Sequence, residues 1–492
     1  MKRAILAALA GPMLLSAAPN CGSMAALSLP NTTIATAETI APGAFPPPPG
    51  RGPNAGAVYK TLPAFCRVSA MLKPSADSDI RIEVWMPASG WNGKLESVGN
   101  GAWAGTISYP AMANALAAGY AAASTDTGHT GNNAEFATGH PEKLTDFAWR
   151  AVHEMTVASK GIVAAYYASA PKYSYWNGCS TGGRQALAEA QRFPNDYDGI
   201  VAGAPANWVT HLQGAQVWTA AMTHKDEAGY IPPAKYAAIH KAALDQCDAL
   251  DGVKDGVIED PKRCKFDPKV LECKQGDDSS CLTAAQVDVA RKIYHGPGNF
   301  PGLEPGSEMG WATLSGPKPM DLALDTYRLL VFQNPAWNYL TFKGAADENQ
   351  AVKTIGNLMD SKDPNLKPFF SHNGKLIQYH GWADPGIAPG SSVDYYRSVA
   401  VSFGGMDKIS DSYRLFMVPG MGHCGGGDGT STFDMVSALD AWVVQSKAPA
   451  QIPASKVVSG AVVRTRPLCP YPQVAAWNST GSTDEAANFT CR

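Results

Sequence analysis

Charge is scarce in this chain. Asp, Glu, Lys and Arg make up 17% of its 492 residues and nearly cancel, leaving a formal charge of −3. Without a basic excess there is no electrostatic footprint for nucleic acid, and that class of partner is excluded. Beyond the N-terminal stretch no apolar run approaches the length of a membrane span, so no membrane partner is expected. No internal repeat is found, which removes solenoids and propellers. The hydrophobic content of 45% is nevertheless that of a globular chain burying a real core.

The N-terminus carries an address. Met1-Lys2-Arg3 is a short basic region, Ala4 to Leu15 is apolar, and Ser16, Ala17 and Ala18 are small. This layout predicts a signal peptide over 1–18 and a secreted or periplasmic protein. The ten cysteines, an even number, suit an oxidising destination.

Alternating strand and helix patterns predict an α/β fold with a largely parallel sheet. Residues 19–65 read as an N-terminal arm, rich in Pro and Gly and including PPPPG at 46–50. Cys21 could staple this arm to Cys66. IRIEVWMP (80–87) alternates as a half-buried strand does, and DFAWRAVHEMTVASKGIVAAYY (146–167) reads as a long amphipathic helix. The rhythm breaks at Ala206 and resumes at GKLIQYHGWADP (374–385). The expectation is therefore a catalytic domain in two pieces, 66–205 and 369–492, with a lid inserted over 206–368. Open α/β sheets bind ligands above the C-terminal ends of their strands, where such an insertion would sit.

The chemistry is signalled in YSYWNGCSTGGRQAL (173–187). An aromatic run ends at Trp176, Gly178-Cys179-Ser180-Thr181-Gly182 follows, and then helix-forming sequence. Strand, sharp turn and helix around Gly-x-Ser-x-Gly make a nucleophile elbow, with an exposed Ser180 hydroxyl at the turn. A serine needs a base, and in this class the acid and the histidine follow the serine in that order. Asp384 ends one later strand and His423 lies in the loop PGMGHC after another. The expected triad is Ser180, Asp384 and His423, with His380 as a competing base read as structural. The N–H of Thr181 is one expected oxyanion donor. The second is expected from VGNGAWAG (98–105), at Gly101 or, close behind, Ala102, although an ordinary tight turn would read the same way.

Cys179 precedes the expected nucleophile and Cys424 follows the expected base. If Ser180 and His423 touch, the two sulfurs come near each other. A bond between them would clamp both catalytic loops, contributing up to about 5 kcal/mol by the loop-entropy model. A free, buried Cys179 is the alternative.

GCSTGGRQAL, YHGWADP and GMGHC, with a cysteine beside both the serine and the histidine, resemble the tannase and feruloyl esterase family. That family also holds the bacterial mono(2-hydroxyethyl) terephthalate hydrolase. The resemblance runs from about Cys66 to the C-terminus. It implies an α/β-hydrolase fold with a large lid, a serine esterase acting on small aromatic esters, and a calcium site in the lid. CDALDGVKDGVIEDP (247–261) offers Asp248, Asp251 and Asp255 with Gly252 and Gly256 as turn formers. With the carbonyls of Val253 and Val257 they could supply the oxygens calcium needs. The spacing is not that of an EF-hand, and by itself would equally fit a solvated acidic turn. Resemblance and proximity also imply the pairings Cys21–Cys66, Cys179–Cys424, Cys247–Cys264, Cys273–Cys281 and Cys469–Cys491.

The ester is less legible. Thr181 after the serine fits a feruloyl-esterase-like member, whereas the terephthalate enzyme has an acidic residue there. Expected substrates are hydroxycinnamoyl esters, including those on plant cell-wall polysaccharide, with gallate esters or a terephthalate monoester as alternatives. A terephthalate carboxylate would call for a lid cation, for which Arg291 and Arg328 are candidates. Trp208, Trp218, Trp311 and Trp337 could stack on an aromatic acid or simply fill the lid core.

Overall fold

The structure, a computed structural model, describes residues 20–46 and 56–492. The expected signal peptide and residues 47–50 of the PPPPG run lie outside the described residues. Nine strands form one sheet: β1 (Thr32–Ile40), β2 (Phe65–Leu72), β3 (Ile80–Pro87), β4 (Lys94–Val98), β5 (Ala121–Thr125), β6 (Tyr173–Cys179), β7 (Gly199–Gly203), β8 (Lys375–Gly381) and β9 (Tyr413–Val418). Their order is β1-β2-β3-β5-β4-β6-β7-β8-β9. From β5 through β4 to β9 every neighbouring pair is parallel, while β1, β2, β3 and β5 pair antiparallel.

The stretch read as an arm is therefore not an appendage. Thr32–Ile40 pairs with β2 as the sheet's edge strand, and Cys21 is bonded to Cys66 on β2. The TTIATAETI segment has the β-branched residues of a strand, but its surroundings of Pro, Gly and Ala hid it.

Both faces of the parallel part are buried, as helical crossovers require. Along β9, Tyr413, Leu415 and Met417 pack into one core and Phe416 and Val418 into the other. On β6, Trp176 faces the first core and Tyr175 the second. Trp176 is fully buried, and its indole N–H donates to the Gly182 carbonyl at 3.0 Å. Truncating a buried Trp costs roughly 3–5 kcal/mol, so this residue both holds the sheet and positions the turn above it. Helices Ala151–Tyr167 and Thr181–Arg192 share its side of the sheet, while Met435–Gln445 covers the other through Leu439 and Trp442.

Between β7 and β8 the chain leaves the sheet. This inserted segment is built of helices and loops that pack in two further cores, one around Val217, Tyr327 and Ile355, which Trp103 and Phe147 join, and one around Ile239, Ile293 and Trp311, which Ile387 joins. After β9, strands Ile452–Val458 and Ala461–Leu468 form a hairpin with Thr432–Phe433 along its edge. Ala475–Trp477 pairs with Phe489–Cys491.

The insertion is tied to the loop that follows β9 by a charged histidine. His240, on helix Tyr236–Cys247, donates through Nδ1 to Glu308 Oε2 at 2.8 Å and through Nε2 to Asp428 Oδ2 at 3.3 Å. Tyr294 holds the other Glu308 oxygen at 2.6 Å. The hydrogen bonds of Asp428 and Glu308 outweigh burial and push His240 up to about 9. A raised folded-state value stabilises fully below the unfolded value and is lost as pH rises through the folded one. The melting temperature of His240→Gln should therefore fall furthest below wild type near pH 6, and the gap should close as pH passes 9. A pH-independent gap would show that the imidazolium does not hold this contact.

Candidate active site

β6 ends at Cys179, and Ser180 turns the chain into helix Thr181–Arg192 with φ 64° and ψ −118°. A non-glycine residue holds this left-handed conformation only when its surroundings impose it. They do. The Ser180 N–H donates to Gly203 O on β7 at 3.0 Å, and its carbonyl accepts from Arg184 and Ala206. A Cβ on Gly183 would lie 2.3 Å from that same Gly203 carbonyl, so only glycine allows the helix to sit this close to β7.

The loop after β4 is pinned to the same turn. Gly182 N–H donates to Asn100 O at 2.8 Å, and Thr181 Oγ1 donates to Ala102 O at 2.8 Å. The Gln185 side chain accepts from the Asn100 main-chain N–H through Oε1 and donates to Asn100 Oδ1 through Nε2, and Asn100 Nδ2 donates to Thr106 O and Thr125 O. Asn100 and Gln185 were not singled out from sequence; both are buried amides within motifs, and their pairing is a tertiary fact. Ala102, at φ 48°, lines the cavity above Ser180, while Gly101 does not.

Asp384 follows β8 and is fully buried. Its Oδ1 accepts from the N–H groups of Gly386 (2.8 Å) and Ile387 (2.9 Å). Its Oδ2 accepts from His423 Nδ1 at 2.6 Å and His380 Nε2 at 3.1 Å. Burial opposes the charge, but the two histidines outweigh it and hold the carboxyl well below the ordinary range. Burial likewise pulls His423 down, yet the hydrogen bond and charge of Asp384 prevail and raise it. His380 is fully buried, held at Nδ1 by Ser392 Oγ (2.7 Å), and lies beneath the carboxylate, not at the cavity.

The Cys179–Cys424 bond joins the Ser180 turn to the His423 loop across 245 residues, with Cα atoms 6.0 Å apart. Ser180 and His423 line one cavity of about 230 Å³. Among the described residues Ser180 Oγ makes no hydrogen bond to His423, a contact that commonly tightens only with substrate bound. The walls are mainly apolar: Trp103, Phe147, Leu212, Leu322, Met359 and Ile387. Trp103 bridges to the insertion, donating to Leu322 O at 3.1 Å.

None of the four lid tryptophans lines this cavity. Trp311 is buried in the insertion's core, and Trp337 stacks on Tyr327. Arg291 and Arg328 are absent too, because carboxylates hold them elsewhere: Asp267 pairs with Arg291, and Asp325 with Arg328. The arginine that does line the cavity is Arg184 of the serine motif. It is buried and donates to Ala148 O (2.5 Å) and Phe147 O (3.0 Å), and burial pulls it down to about 10.

The chain was compared with known proteins. Residues 66–492 match the family model described as tannase and feruloyl esterase. The chain belongs to this family. It is 38% identical to an uncharacterised esterase of Xanthomonas campestris, over 97% of this chain and 92% of that one. It is 33% identical to a probable feruloyl esterase B-2 of Aspergillus terreus, covering 94% of this chain and 93% of that one. The crystal structure of feruloyl esterase B from Aspergillus oryzae superposes with a TM-score of 0.89 at 31% identity, over 96% of this chain and 99% of that one. Tannin acyl hydrolase from Aspergillus niger, at 23% identity and TM-score 0.79 over 96% and 95%, shares the fold. This esterase is thus a carboxylic ester hydrolase with an α/β-hydrolase-type fold.

All ten cysteines of the esterase are paired, as Cys21–Cys66, Cys179–Cys424, Cys247–Cys264, Cys273–Cys281 and Cys469–Cys491. The third pair brackets the acidic loop. There Asp248 accepts from the N–H groups of Asp255 (3.1 Å) and Gly256 (3.0 Å), and Gly252 and Gly256 take positive φ. Burial, with the charges of Asp255 and Asp248, pushes Asp251 up. Arg466 holds Asp255 Oδ2 at 2.6 Å. Among the described residues neither the Val253 nor the Val257 carbonyl accepts a hydrogen bond. Three carboxylates and two free carbonyls are hard oxygen donors of the kind calcium takes, so the residue types fit that ion.

A histidine base must be neutral to accept a proton. Because Asp384 raises His423, the acid limb of kcat/KM should lie above the ordinary histidine value of about 6.5. Asp384→Asn should lower kcat by roughly 10⁴-fold. A limb below 6.5, or an active Asp384→Asn enzyme, would remove His423 from the reaction.

Proposed function

We propose that Ser180, His423 and Asp384 form the catalytic triad of an exported esterase that cleaves hydroxycinnamoyl-type aromatic esters through an acyl-enzyme. The observation that carries the reading is one apolar cavity lined by both a strained serine and a histidine hydrogen-bonded to a buried aspartate. Ser180 Oγ attacks the ester carbonyl while His423 Nε2 takes its proton. The tetrahedral oxyanion is met by the Thr181 N–H, at the start of its helix, and by an N–H of the Gly101–Ala102 loop. Collapse expels the alcohol, which takes the proton back from His423. Water, deprotonated by His423, then releases the acid and restores Ser180. Asp384 fixes the imidazole tautomer and balances its positive charge.

The apolar walls suit an aromatic ring, and the relatives' printed names support the feruloyl class. Cavity-lining Arg184 keeps a carboxylate-bearing ring, as in a terephthalate monoester, as the second reading. Five disulfides and the basic-apolar-small start of the sequence support export.

Calcium belongs to the same proposal. Asp248, Asp251 and Asp255, with the carbonyls of Val253 and Val257, would hold it. Bound there, it supplies a structural cross-link and no catalytic step.

Methyl ferulate, methyl gallate and mono(2-hydroxyethyl) terephthalate, assayed side by side with Ser180→Ala as control, test the reaction. Preference for ferulate that is abolished in Ser180→Ala is expected. Hydrolysis surviving in Ser180→Ala would overturn the nucleophile, and preference for the terephthalate ester would favour the second reading. No hydrolysis by the wild type would leave a binding protein on this fold. For the ion, chelation and Asp251→Asn should each lower the melting temperature by several degrees, and metal analysis should find one calcium. Unchanged melting with no calcium present would dismiss the site.

A further inference from the structure

A cluster away from the cavity combines metal-binding donors with an unmet polar need. Glu189, nine residues beyond Ser180 on the same helix, is 1% exposed, and neither of its carboxylate oxygens has a hydrogen-bond partner. Burying such a group without donors is costly, and each instance calls for an explanation. Its ionisable neighbours do not supply donors freely. Asp196, in the turn before β7, is another acid, and burial first, then the charge of Asp196, pushes Glu189 well above the usual carboxylate range. The Lys160 ammonium donates to the main-chain carbonyl of Asp196.

The third member is His153, on helix Ala151–Tyr167. Its Nδ1 lies 2.7 Å from Asp196 Oδ2, and Phe193 stacks on its ring at 3.8 Å and fixes its plane. One ligand atom each from His153, Glu189 and Asp196 lies within 4.8 Å of the others. The His153 and Asp196 side chains are 27% and 13% exposed, which leaves the cluster reachable from solvent.

We propose that His153, Glu189 and Asp196 bind a divalent transition-metal ion of the zinc class as a structural site. An imidazole nitrogen with two carboxylates suits zinc or manganese, whereas calcium takes six to eight oxygens. The ion would replace the proton on Glu189, which is released to solvent, and would take Nδ1 of a neutral His153 whose single proton then sits on Nε2. It would give the buried Glu189 oxygens a partner. It would also join the helix that carries Ser180 to the helix before it and to the turn into β7. None of the three residues lines the catalytic cavity, so the ion has no part in the ester chemistry.

The test uses the full mature chain, stripped of metal and returned to excess calcium so that the acidic loop stays filled. Zinc is then titrated by calorimetry and by thermal melting. One equivalent should bind, with a melting temperature that rises by several degrees and depends on zinc concentration. His153→Gln and Glu189→Gln should each weaken zinc binding by about 100-fold or more. Glu189→Gln replaces a neutral carboxyl with a neutral amide of the same size, and His153→Gln changes a partly exposed side chain, so at least one variant is expected to fold. No stoichiometric zinc in the wild type would overturn the site and leave Glu189 as a protonated partner of Asp196. Undiminished zinc binding in a folded variant would also overturn it.

Discussion

A carboxylate with no exposure to water stays charged only if the protein surrounds it with donors. Asp384 meets that condition with two backbone N–H groups and two imidazoles. Much of the site depends on this. The N–H donors fold residues 385–387 back on the carboxylate, and that turn forms one wall of the cavity. His423 is held by the same oxygen that makes it more basic. His380 is the less visible half: buried and fixed by Ser392, it supplies a donor that needs no solvent.

The serine side of the cavity is governed by packing. Ser180 sits in a conformation that costs energy, and neighbouring strands, not its own preference, keep it there. Gly183 lets the helix approach β7, Trp176 props the turn from below, and Asn100 with Gln185 locks the loop opposite. The bond between Cys179 and Cys424 then joins this turn to the histidine loop. Two loops far apart in sequence thus become one body.

The insertion decides what fills the cavity. Its contribution is mostly aliphatic side chains and Met, with Trp103 from the sheet side reaching over to Leu322. The tryptophans and arginines of the insertion stay out of the cavity: Trp311 is packed in the insertion's core, and carboxylates hold both Arg291 and Arg328. Arg184, by contrast, reaches the cavity from the helix that follows Ser180, with only carbonyls as hydrogen-bond partners. Charge at the cavity therefore comes from the sheet-bearing part of the molecule, not from the insertion.

The sequence by itself determined the family, the α/β fold and the reaction class, because these rest on local patterns. An elbow needs glycines flanking a serine, a strand needs alternation or an apolar run, and catalytic residues sit in loops directly after strands. The edge strand Thr32–Ile40 and the C-terminal hairpin Ile452–Leu468 escaped notice, because a short strand is defined by its partner more than by its composition. Only the tertiary structure decided which side chains meet. Asn100 with Gln185, His380 under Asp384, Arg466 on Asp255, and Glu189 beside Asp196 and His153 are each pairings across helices, strands or loops. Such pairings are settled by burial, which forces every polar group to find a partner from whatever the fold brings near. The one-dimensional pattern records the groups but not the neighbours.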